Sequence, residues 1–177
     1  ISCVESCRIP VIAAIHGACV GGGLDLIAAC DLRFAVESST FCIQEINLGI
    51  MADLGSLQRL PKLMAPGIVR ELAYTGDRFD AARGLQYGLL NQIFESHEGM
   101  MAHARGVARR IALRSPIAVR ATKESITYAR DHSVDDALLH AAALQASIFD
   151  KEQIMNEIVA QKKKSTVTYE DPKKLEW

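Results

Sequence analysis

Behind Pro10, the unbroken apolar run Val11-Ile-Ala-Ala-Ile15 is rich in β-branched residues and predicts a buried strand that stops at His16-Gly17. The cluster Gly21-Gly22-Gly23 then leads into Leu24-Asp-Leu-Ile-Ala28, which reads as a glycine-rich turn feeding a buried helix. Asp31-Leu-Arg-Phe-Ala-Val36 alternates polar and apolar positions and predicts a second strand. Thr40-Phe-Cys-Ile43, after the Ser38-Ser39 turn, predicts a third. Residues 44–65 hold Gly49, Gly55 and Pro61 and read as loop with one short helix near 56–60. Helical spacing returns over 66–73, and Asp80 is placed to cap a helix that ends at Gly88. A last strand is expected over 89–94, followed by helices over about 98–114, 116–130 and 133–159. Strand, helix, strand, strand and then helices predict an α/β fold with a buried sheet. The third long helix presents Val134, Leu138, Ala141, Ala142, Gln145, Ile148 and Phe149 as a broad apolar face, the mark of an interface.

Composition narrows the class. The 177 residues are 49% apolar and 23% charged, with a formal charge of -1. Residues 1–90 carry about -2 and the rest about +1, so neither half is a basic arm, and nucleic acid is a poor partner. Apolar stretches break well before the length of a membrane span, so no membrane partner is expected. Cys3, Cys7, Cys19, Cys30 and Cys42 crowd the first 42 residues in odd number, without paired spacing near histidines. They read as reduced, small core residues rather than a disulfide framework or a zinc site. The chain opens at Ile inside an apolar pattern and reads as the rear part of something longer. The end, Leu175-Glu-Trp177, is not a peroxisomal address, and Gln161-Lys-Lys-Lys164 reads as a solvated helix end.

Three carboxylates stand out. Asp25 lies on an apolar helix two residues past the glycines, Glu45 lies between Ile43 and Ile46, and Asp53 follows Ile50-Met-Ala. Acids among apolar side chains must be paired, hydrogen-bonded or protonated, a state suited to general acid–base work. The structural alternative is that each caps a helix or pairs with a base such as Arg33 or Arg59. The glycine turn adds unpaired helix N-terminal amides, a place to hold a developing oxyanion. Asp31 reads as a cap or as the salt-bridge partner of Arg33, and His16 as a hydrogen-bonded turn residue. No Gly-x-Ser-x-Gly elbow is present, so no serine nucleophile is indicated.

The segment from Pro10 to Arg33, continued by Leu57-Gln-Arg-Leu-Pro61, Ala73-Tyr-Thr-Gly76, residues 81–89 and Ser115-Pro-Ile-Ala118, resembles the enoyl-CoA hydratase/isomerase (crotonase) superfamily. The resemblance runs to about residue 160. It implies a ββα spiral core over 1–112, lacking its front part, and a helical trimerisation region over 113–177. It also implies an acyl-CoA thioester substrate, no cofactor, no metal, and a homotrimer or dimer of trimers. Gly22 matches an oxyanion-hole glycine, and Gly21, Leu48 and Gly49 would line the substrate. Hydratases of the family carry Glu at the positions of Asp25 and Glu45 and Gly at that of Asp53. Asp25, Glu45 and Asp53 together resemble the dienoyl-CoA isomerases, which move a proton from C2 to C6 of a 3,5-dienoyl thioester in fatty acid β-oxidation. On that resemblance Glu45 works at C2, Asp53 at C6, and Asp25 is auxiliary. A hydratase and a non-catalytic acyl-CoA-binding homologue are the alternatives. The compartment would be cytoplasmic in a bacterium and mitochondrial or peroxisomal in a eukaryote. The family's first oxyanion amide lies in the missing front part, so residues 1–177 alone are expected to be inactive.

Overall fold

A computed structural model of the chain describes residues 1–169, so the terminal Leu175-Glu-Trp177 lies outside the described residues. The chain divides into two compact units, Ile1–Gly106 and Val107–Trp177. In chain order the first unit holds α1 (Ser2–Glu5), β1 (Ile12–Ile15), β2 (Ala18–Val20), α2 (Gly22–Ala28), β3 (Leu32–Val36) and β4 (Thr40–Cys42). A 3-10 turn (Glu45–Leu48), α3 (Ser56–Arg59), a second 3-10 turn (Leu60–Lys62) and α4 (Pro66–Thr75) follow. Next come β5 (Phe79–Asp80), α5 (Ala81–Gln86) and β6 (Gln92–Phe94), and α6 (His97–Ala112) spans the boundary.

The first unit is built on two three-stranded sheets. One is all parallel in the order β1-β3-β6, with Ile12 opposite Leu32 and Phe34 opposite Gln92. The other runs β2-β4-β5, with β2 parallel to β4 and β5 antiparallel to it. Leu24, Phe41, Ile43, Leu60 and Leu89 are fully buried in the core. Each such side chain contributes about 1.5–3 kcal/mol of transfer free energy. Phe41 stacks on Phe79 across the β4–β5 pair, ring centroids 5.3 Å apart. Arg33 is buried among backbone carbonyls: its guanidinium donates to Leu89 O at 2.6 Å and to Cys30 O at 2.5 Å. Burial lowers its proton affinity, and the ring of carbonyl acceptors is what makes the buried cation tolerable.

The second unit is helical, with α7 (Pro116–Asp131), α8 (Val134–Ile148) and α9 (Lys151–Lys162). Tyr128 lies between two imidazoles, its ring centroid 3.7 Å from that of His132 and 4.0 Å from that of His140. Val134, Leu138, Leu139 and Phe149 are exposed.

Several expectations change. Ala18–Val20, where the sequence predicts no strand, pairs as one just ahead of the glycine turn. The expected helix over 133–159 is two, because Phe149 and Asp150 take extended backbone and Asp150 accepts from the amides of Glu152 and Gln153. Cys19 and Cys42 are buried as expected, but Cys3 is exposed. Asp31 accepts from the Val11 amide at 2.7 Å, tying the start of β1 to that of β3.

Candidate active site

Gly21 is buried at φ +53 and donates its N–H to Cys42 O at 3.0 Å, so the glycine turn is tied to the end of β4. A Cβ built at Gly21 would lie 2.9 Å from Glu45 Oε1. Glycine is required here twice over, by the positive φ and by the carboxylate lying against it. Gly22 is the first residue of α2, so its N–H has no intrahelical acceptor, and it is exposed. A Cβ at Gly22 would stand 4.0 Å from Leu54 Cδ1. The turn is therefore bordered by the Glu45 segment on one residue and by the Asp53–Leu54 segment on the next.

Glu45 opens its 3-10 turn, and both ends of that turn are fixed. Gly49 closes it at φ +74, and the Ile50 amide donates back to Glu45 O at 3.2 Å. Asn47 Nδ2 donates to Gly76 O at 3.0 Å, and the Asn47 amide fills the space a Cβ would need at Gly76. Glu45 Oε2 is buried without a hydrogen-bond partner, an acceptor left open beside the turn. Leu48 and Gly49, expected to line a substrate, are both exposed.

Asp25 is fully buried. Its Oδ1 accepts from the Ser56 amide at 2.6 Å, so a carboxylate on α2 satisfies the first N–H of α3. Oδ2 is buried and unpartnered. The capping alternative considered for the acids thus describes one oxygen of Asp25, with Ser56 as a partner that nothing in the sequence pattern marks. The proposed bases do not serve the three acids: Arg33 bonds carbonyls, and Arg59 pairs with Glu5 at 3.0 Å.

Asp53 departs from expectation. It is exposed, and so are its neighbours Ile50, Met51 and Leu54. Of the apolar residues adjacent in sequence only Ala52 turns into the core; the others do not enclose Asp53, because sequence adjacency fixes no inward direction for a loop. His16 is exposed as well, and its ring meets that of His97 edge-on at 5.2 Å. Cys19 lies behind the turn, its Sγ 3.7 Å from a Cβ built on Gly23. Burial pushes its thiol up to about 11, which leaves it protonated and unreactive near neutral pH. Among the described residues no group of three His, Cys, Asp or Glu is arranged to hold a metal ion.

What this arrangement offers is an orphan amide at a glycine turn, with one carboxylate touching the turn and a second on a neighbouring segment. Such a set can stabilise an oxyanion while moving protons. The sequence profile of the family described as Enoyl-CoA hydratase/isomerase matches residues 1–177. The chain belongs to this family. The crotonase family's fold is shared too: an enoyl-CoA hydratase from Bacillus anthracis superposes with a TM-score of 0.89 at 35% identity, covering 94% of this chain and 64% of that one. Among curated relatives, the mitochondrial Delta(3,5)-Delta(2,4)-dienoyl-CoA isomerase of Pongo abelii is 40% identical over 89% of the chain and 48% of its own length. The peroxisomal Delta(3,5)-Delta(2,4)-dienoyl-CoA isomerase of Arabidopsis thaliana is 40% identical over 91% of the chain and 58% of its own length. The chain spans about half the length of the curated relatives it matches.

Proposed function

We propose that the protein isomerises 3,5-dienoyl-CoA thioesters to the conjugated 2,4-dienoyl forms. The observation that carries the reading is the pair of carboxylates, Glu45 and Asp53, on two separate segments that border adjacent residues of one glycine turn. A single acid serves a reaction at one carbon; moving a proton from C2 to C6 calls for a group at each end. Glu45 takes the C2 proton. The electrons spread over the thioester oxygen and the diene as a dienolate, and the Gly22 N–H donates to that oxygen. Asp53 delivers a proton to C6. Glu45 then holds one proton more and Asp53 one fewer than before, and exchange with water restores both. Asp25 does not touch the reacting atoms; it holds the segment after Asp53 through the Ser56 amide.

The acyl-CoA thioester is substrate, and no further cofactor enters these steps. Residues 1–112 form the core of this reading, and 113–177 serve as the oligomerisation region of a homotrimer or dimer of trimers. In a eukaryotic host the compartment would be mitochondrial or peroxisomal, as the relatives' names say of them. The test is direct. The purified full-length protein, given a 3,5-dienoyl-CoA, should generate the ultraviolet absorbance of the conjugated 2,4-dienoyl thioester. Turnover of crotonyl-CoA with no such growth would overturn this reading in favour of a hydratase.

A further inference from the structure

Arg59 ends α3, and its side chain folds back over the start of that helix. Nη1 donates to Leu54 O at 3.4 Å, while Nη2 donates to Glu5 Oε2 at 3.0 Å and to Ser2 Oγ at 3.3 Å. The pair is well screened from water, with side chains 12% exposed at Arg59 and 21% at Glu5. Gly55 stands at φ +124, and a Cβ there would overlap Nη1 outright. The guanidinium therefore occupies the volume a side chain at 55 would fill, and the chain turns around it. Two residues are pinned in succession: the Leu54 carbonyl by Arg59, and the Ser56 amide by Asp25. Asp53 directly precedes the first pin, and Leu54 packs toward Gly22.

We propose that Arg59, charge-paired with Glu5, is a positioning residue that fixes the 53–55 backbone so that Asp53 reaches the far end of the substrate. This rests on the isomerase reading above. The physical argument is one of leverage. The Asp53 side chain is exposed, so its direction is set by the backbone that carries it, anchored on one side by core residue Ala52 and on the other by Leu54 and Ser56. Misplacing a reacting group by about 1 Å costs up to about 10²-fold in rate. The hydrogen bonds of Arg59 go to Leu54, Ser2 and Glu5 and not to Glu45 or Gly21, so the base at C2 is held independently of it.

The experiment uses the full-length protein with Arg59→Gln, and Glu5→Gln as a milder variant that keeps the guanidinium but removes its counter-charge. Amide hydrogen exchange should rise in peptides covering 50–56 and stay unchanged over 44–48. With a 3,5-dienoyl-CoA, kcat should fall about 10-fold to 10²-fold while KM moves little, and deuterium uptake at C2 should persist. On an Asp53→Asn background, Arg59→Gln should cost nothing more, because it acts through Asp53. Unchanged exchange over 50–56, an equal loss of C2 labelling and isomerisation, or full additivity with Asp53→Asn would each overturn the proposal. A wild-type protein without isomerase activity overturns the function proposed above and Arg59's catalytic purpose with it. The exchange measurement would still decide whether the clamp exists.

Discussion

Gly21 and Glu45 explain each other: the carboxylate lies where any side chain at 21 would have to go. Gly21→Ala must therefore displace Glu45 while holding a positive φ outside the left-handed α region, a strained conformation that costs on the order of 1–3 kcal/mol by itself. The expected outcome is a folded protein with a lower melting temperature and isomerisation reduced by at least about 10-fold, read by calorimetry and by the dienoyl assay. Cys19 offers an independent check on the same turn. With its thiol raised to about 11 by burial, it holds a proton that an unfolded cysteine would release near 9, so its contribution to stability is complete below pH 9 and is lost as pH climbs toward 11. At pH 8 iodoacetamide should modify exposed Cys3 and spare Cys19 until denaturant is added, as peptide mass spectrometry would show. The three acids were legible in the sequence because carboxylates stand out in apolar runs. Their partners were not. The Ser56 amide that binds Asp25 is a backbone group 31 residues away, and no side-chain pattern announces it. The exposure of Asp53 was illegible for a related reason, since the alternation rules that tell inside from outside hold for helices and strands and lapse in a loop.

Strong periodicity and clear stops fix an element's place in the sequence. Asp80 caps α5 through the Arg83 amide, and Gly88 turns the chain at φ +87 beyond it, both as the residue types suggested. Three-residue β2 leaves no mark in the sequence, because a strand that short carries no alternation to detect. The single helix expected over 133–159 failed at Asp150. Apolar spacing continues on both sides of it, but its carboxylate binds the amides of Glu152 at 2.9 Å and Gln153 at 3.0 Å, starting α9 afresh. Asp150→Ala should cost about 1 kcal/mol and lower the helical signal on mild heating, measured by circular dichroism. No change in either would mean that the break is set by something other than the cap.

At the scale of the molecule, the proposed reaction asks for little polar machinery: in that reading a glycine turn and a few acids suffice, because a thioester substrate would itself supply the electron sink. The exposed apolar residues of α8 and α9, among them Leu138, Leu139, Met155 and Ile158, are the surface on which the trimer proposal rests. Sedimentation should show trimers or hexamers at micromolar concentration, and a stable monomer would contradict it. The division of labour between Glu45 and Asp53 is the central claim, and isotope labelling in deuterated water tests it most directly. Asp53→Asn should lose isomerisation by about 10²–10⁴, the range for a general acid, yet still exchange deuterium at C2 of the thioester. Glu45→Gln should lose both. Isomerisation by Asp53→Asn at close to the wild-type rate would contradict the account, leaving Asp53 without a part in the chemistry.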